Sequence, residues 1–117
     1  TLWEYSDSAE MWNYEDFSVV DTAGAVRTES VDAVVRAYPR ALAETSTADT
    51  AWNWDADTRT LHLTYDGEAG GITEIVAPSW WYGGSPQVDG TGGCGDVRGD
   101  RVFIRATGGP VEVVVSP

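Results

Sequence analysis

Two textures of apolar and polar positions meet near residue 45. Before it, "SVDAVVRAYPRALAE" sets Val31, Val34, Val35 and Tyr38 at i, i+3, i+4 and i+7, one face of an amphipathic helix. Thr28 or Ser30 suits the N-cap, and Glu29 or Asp32 puts a carboxylate in the first turn, where the helix dipole favours it. Pro39 ends the pattern, because the residue before a proline is pushed out of the helical region. Ahead of the helix, "FSVVDTAGAVR" reads as a short extended piece and a turn at Ala23–Gly24.

After residue 45 the period changes to two, with frequent turns, which predicts strands. "TAWNWD" and "TRTLHLTY" form a hairpin across "ADT", with Leu61, Leu63 and Tyr65 on one face and Thr60, His62 and Thr64 on the other. "GITEIVAP", "SPQVDG", "DRVFIRAT" and "PVEVVVSP" continue the pattern, and the glycine-rich "DGEAGG", "YGGS", "GTGGCGDVRG" and "TGG" read as turns. The expected fold is mainly β: a small antiparallel β-sandwich, immunoglobulin-like or carbohydrate-binding-module-like, preceded by one helix.

Charge narrows the partners. The 117 residues carry a formal net charge of −12, with nineteen Asp and Glu against seven basic residues, all arginine. Nucleic-acid affinity is built largely from Lys and Arg on phosphates, so no nucleic-acid partner is expected. An anionic membrane surface is disfavoured for the same reason. The acidity is spread along the whole chain, as on a solvated surface. No run of eighteen apolar residues predicts a transmembrane segment. No signal-peptide pattern precedes the domain, but a mature secreted fragment would look the same, so localisation stays open. The single cysteine, Cys94, allows no internal disulfide and no metal cluster, and no cofactor is expected.

Several phrases together carry a resemblance. Val35, Arg36, Tyr38, Pro39, Arg40 and Ala41 match a "VRPYPRAVAGTP"-like phrase. Trp52, Trp54, Asp55, Thr58, Thr60, Leu61, Leu63 and Tyr65 match an aromatic hairpin, and Thr73, Glu74, Ile75 and Pro78 a "TEI-x-x-P" strand. The chain thereby resembles the C-terminal end of endoglycoceramidase-like enzymes of glycoside hydrolase family 5. In these a (β/α)8 barrel runs directly into a β-sandwich. The resemblance implies that residues 1–45 are the tail of the barrel (last strand, loop and last helix) and residues 46–117 the accessory sandwich. It also implies that the partners are a missing N-terminal barrel and a glycan or glycolipid substrate, and it favours a secreted protein. The doubled tryptophan and the cysteine in "SWWYGGSPQVDGTGGCGDVRGD" depart from the family pattern.

Retaining hydrolysis in that family uses two carboxylates about 5–5.5 Å apart, both carried on barrel strands that precede the residues present here. The resemblance therefore implies no catalytic residue in this chain, Glu4 included, and no activity for the chain alone. It makes Trp3 a sugar-stacking residue of the intact enzyme, with Tyr5 beside it. An indole covers the apolar C–H face of a pyranose. Trp52 and Trp54, at i and i+2, share one face of a strand and are expected at the interface with the barrel. Trp80, Trp81 and Tyr82 are candidates for an accessory glycan contact, since neighbours along a strand face opposite ways. Two plainer readings stand beside this one: a free-standing carbohydrate-binding module, and a structural sandwich without a ligand. Asp55 and Asp57 sit at a tight hairpin tip, which explains them without calcium. His62 has no partner pattern, Cys94 reads as a free thiol in a flexible loop, and Arg98–Asp100 as a hairpin turn.

Overall fold

The computed structural model describes residues 19–21, 23–83 and 85–117. The chain divides into two units, Thr1–Val35 and Arg36–Pro117.

In the first unit, Val20 and Val26 form an antiparallel bridge around the turn expected at Ala23–Gly24. Asp21 closes it: its carboxylate accepts from the Ala23 and Ala25 amides, both at 2.9 Å. Helix α1 follows at Thr28–Asp32, five residues with no side-chain cap bond and none of them buried. The sequence pattern extended this helix to Tyr38, and that is corrected. So short a helix has little beyond its costly first turn, and the residues after Val35 are drawn into a sheet instead.

That strand is β1, Tyr38–Ala41, which pairs antiparallel with β4, Ile72–Val76. Pro39 is tolerated there because β1 is an edge strand, where a missing N–H breaks no ladder on the outer side. The sheet thus starts ahead of residue 46. β2 (Glu44–Asp55) and β3 (Thr60–Gly67) form the expected hairpin. β5 (Gln87–Thr91), β6 (Gly93–Arg98), β7 (Arg101–Ala106) and β8 (Gly109–Ser116) complete the unit. A helical turn, α2 (Ser79–Tyr82), connects β4 to β5.

The strands form two four-stranded antiparallel sheets: sheet A in the order β1-β4-β7-β6 and sheet B in the order β2-β3-β8-β5. Alternation explains the core. Leu61, Leu63 and Tyr65 of β3 and Val111, Val113 and Val115 of β8 are each at most 2% exposed, while Thr60, His62, Thr64 and Glu112 face away. Sheet A contributes Ile75, Val102, Ile104 and Ala106. Each fully buried aliphatic of this kind stabilises the fold by about 1.5–3 kcal/mol before entropy is counted. Thr73 is the one buried polar residue among those described, and its hydroxyl accepts from the Ala43 amide at 3.1 Å. No described helix is long and apolar enough to cross a membrane.

Candidate functional site

The aromatic residues singled out in the sequence separate into three positions. Trp3 and Tyr5 lie outside the described residues. Trp52 and Trp54 lie on edge strand β2, where the register sets Trp52 against Leu63 and Trp54 against Leu61. Directly opposed residues share a face, so both indoles stand on the core side of sheet B. The core reaches Trp54, which is half-buried, but Trp52 stays 43% exposed. The Arg36 guanidinium lies over the Trp52 ring, 5.8 Å from its centroid.

Trp80, Trp81 and Tyr82 stand on a helical turn, not on the extended segment the sequence suggested. A helix rotates successive side chains by about 100° instead of reversing them. Trp81 and Tyr82 therefore both turn inward and are buried, while Trp80 is 46% exposed. The turn is fixed from outside by Asp100, whose carboxylate accepts from the Ser79 amide at 3.0 Å and whose carbonyl accepts from Ala77 at 2.9 Å.

The two aromatic groups meet at one end of the sandwich. Trp54 and Trp81 lie 6.0 Å apart between centroids, tilted by 50°, within the range of favourable aromatic pairs. The Arg59 guanidinium caps this pair 5.0 Å from the Trp81 centroid. Arg59 reaches it from the β2–β3 hairpin tip, where it adopts a left-handed backbone with φ 55°, uncommon for a residue other than glycine. The hairpin itself is held by Asp55, which accepts from the Asp57 and Thr58 amides at 2.9 and 3.2 Å. The bond from Thr58 is the main reason its pKa lies below the ordinary Asp value. Sequence reasoning found the five aromatics Trp52, Trp54, Trp80, Trp81 and Tyr82 but not the two arginines that lie over Trp52 and Trp81, because a cation over a ring leaves no local pattern.

Chemically, the segments that meet here carry partly exposed indoles at Trp52 and Trp80, beside the buried Trp81 and half-buried Trp54. Indole faces stack on the apolar side of a sugar ring. Among the described residues no group of three or more His, Cys, Asp and Glu could hold a metal ion. His62 is exposed on β3, opposite Val114 and Asn53. Cys94 is a free, exposed thiol, but it belongs to strand β6, which corrects the expectation of a flexible loop. It borders a shallow groove of about 420 Å³ on the outer side of sheet A, with Ile72, Asp96, Arg98, Phe103 and Arg105.

No protein-family model matches the chain, and no curated protein matches it. Solved structures do. Endo-glycoceramidase II from Rhodococcus sp. aligns at 27% identity and a TM-score of 0.58, over 86% of this chain and 23% of that one. Sterylglucosidase 1 of Cryptococcus neoformans aligns at 16% identity and a TM-score of 0.61, over 74% of this chain and 14% of that one. The second likeness is one of fold. The first adds sequence to fold and supports a glycoside-hydrolase-like relationship. The chain spans less than a quarter of either protein.

Proposed function

We propose that this chain is the C-terminal region of a longer retaining glycoside hydrolase acting on glycolipid-type or other β-linked glycans. The observation that carries the reading is the alignment with endo-glycoceramidase II, which extends over 86% of the chain at 27% identity. The resemblance sets the tail of the (β/α)8 barrel at residues 1–45; in this reading it ends nearer residue 35, because β1 (Tyr38–Ala41) already pairs with β4. The sandwich supports that barrel and extends its substrate surface, while the catalytic carboxylate pair lies upstream. Trp3 stacks on the sugar in the intact enzyme with Tyr5 beside it, and Trp52 and Trp54 lie toward the barrel. Trp80, with the largest exposure of the described tryptophans, is the accessory glycan contact, while buried Trp81 and Tyr82 hold it in place.

Two measurements test this. The gene upstream of Thr1 should encode a barrel with a glutamate acid/base and a glutamate nucleophile; an upstream sequence without them ends the reading. The longer protein should hydrolyse a glycosylceramide or a steryl glucoside, whereas the 117-residue chain should hydrolyse neither. Activity in the short chain would mean that the catalytic groups are misassigned.

The exposure of Trp52 and Trp80 also favours a second reading, a free-standing carbohydrate-binding module. Retardation of the 117-residue chain in glycan affinity gels, lost in the W52A and W80A variants, would support it. Migration unaffected by any glycan would remove it.

A further inference from the structure

The two outer faces of the sandwich differ in kind. Sheet B turns Thr64, Asp89, Thr91 and Glu112 to the outside, and its four strands contain no arginine. Sheet A, on the side opposite buried Ile75, Val102 and Ile104, carries Tyr38, Val76, Phe103 and Ile72 in adjacent rows of its register. Tyr38 is 40% and Ile72 42% exposed.

Around these apolar groups stand Arg40, Arg98, Arg101 and Arg105, four of the chain's seven arginines, against Glu74 and Asp96, two of its nineteen carboxylates. Both carboxylates are already engaged. Glu74 takes Arg40 at 3.3 Å and Arg101 at 2.9 Å, and Asp96 takes Arg98 at 2.6 Å. Arg98 also lies over the Phe103 ring, 5.7 Å from its centroid. Arg105 donates to the Gly70 carbonyl at 3.2 Å and has no carboxylate partner among the described residues. In a chain of net charge −12, the outer face of sheet A, unlike that of sheet B, combines exposed apolar area with excess positive charge among the described residues.

Aromatic residues and arginine are enriched in the centres of protein interfaces, where Asp, Glu and Lys are depleted. The outer face of sheet A has that composition and the outer face of sheet B does not. We propose that sheet A docks, through Tyr38, Ile72 and Phe103 and the arginines around them, on the catalytic body of the longer enzyme. That body presents an apolar patch to Ile72 and Phe103 and carboxylates to Arg98 and Arg105. The proposal rests on the reading of the chain as part of such an enzyme. Two observations select this occupant. The face calls for an acidic partner, and the chain spans only 23% of the endo-glycoceramidase it matches, so most of such a protein lies beyond these residues.

Cys94 reports on the face, because the register places it beside Arg105 and it is exposed in the sandwich itself. The experiment uses the full-length protein encoded by the gene. Its rate of maleimide labelling at Cys94 is read from the Cys94 peptide by mass spectrometry and compared with labelling of a C94S/D89C variant, which moves the thiol to the outer face of sheet B. The expected result is labelling at Cys94 at least tenfold slower than at the D89C site, with R98E/R105E bringing the two rates together. Equal rates in the unmodified protein overturn the proposal. Protection that disappears on dilution points to a second copy as the occupant and also overturns it. A gene encoding nothing beyond these residues does the same.

Hydrolysis of glycosylceramide, measured on the same preparation, reports separately on the parent reading. An active enzyme with fast Cys94 labelling loses the docking face and keeps the hydrolase assignment. A protein without any glycosidase activity loses the assignment and with it the occupant named here.

Discussion

Burial of the Tyr82 hydroxyl, which has no hydrogen-bond partner among the described residues, pushes its pKa up to about 12. An unfolded tyrosine titrates near 10, so between about pH 10 and 12 the folded protein keeps a proton that the unfolded chain has released. The stability tied to the neutral phenol is complete below pH 10 and is lost as the pH rises through about 12. Y82F removes the ionisable group and a buried polar atom without changing the ring. Its melting temperature at pH 7 should equal or exceed that of the parent, because an unpaired hydroxyl contributes nothing once buried. The gap should widen in favour of Y82F as the pH is raised from 9 to 11. A variant that loses stability at both ends of this range would show that the hydroxyl is bonded after all. At this scale the sequence was a partial guide. Its doubled tryptophan marked a special position, but only the helical turn decides that Trp81 is core and Trp80 is surface.

Among the elements, the strands with strict alternation were legible directly. β3 reads apolar at Leu61, Leu63 and Tyr65 with polar residues between, and β8 buries Val111, Val113 and Val115 at the same period, with Glu112 and the half-exposed Val114 between them. Two strands were hidden. β1 contains a proline, which reads as a stop until its edge position is known. β6 reads as a turn because glycine fills two of its three inward positions, Gly93 and Gly95, with only Val97 as the third. A side chain at Gly93 would place its Cβ 2.8 Å from Ile104, so the strand is glycine-bearing because the neighbouring strand's side chain already occupies the space. The helix failed in the opposite direction, since its valines fit a helical stripe but the chain beyond Val35 pairs as a strand. β5 shows the same close approach most sharply: a Cβ at Gly90 would lie 2.0 Å from the Glu112 carbonyl oxygen. That oxygen is backbone of a paired strand and cannot yield cheaply. G90A should therefore destabilise the protein by about 1–3 kcal/mol or more. Hydrogen exchange should show protection lost first along β5. D89A, one residue away on the solvent side, should stay within about 0.5 kcal/mol of the parent. Equal, small effects of both would mean that β5 does not pack on β8 as described.

For the molecule as a whole, charge is the property that every other contribution must overcome. Nineteen carboxylates and seven arginines leave a net −12, which destabilises a compact state by self-repulsion. The ion pairs on the outer face of sheet A are exposed or half-exposed, and such pairs contribute about 0–1 kcal/mol each. Three such pairs involving two carboxylates cannot offset repulsion among the rest. Salt weakens both effects, since the screening length falls from about 30 Å at 0.01 M to about 8 Å at 0.15 M. The larger effect decides the sign. At pH 7 the melting temperature should rise with sodium chloride from 10 mM to 500 mM. Chloride is the appropriate salt because sulfate also strengthens apolar burial by exclusion. The same titration near the isoelectric point of about 4.1 supplies the control. There the net repulsion is gone, only attractive pairs remain to be screened, and the salt dependence should vanish or reverse. A rise of equal size at both pH values would show that salt acts through the apolar core, and that the acidic surface has little bearing on the stability of the fold.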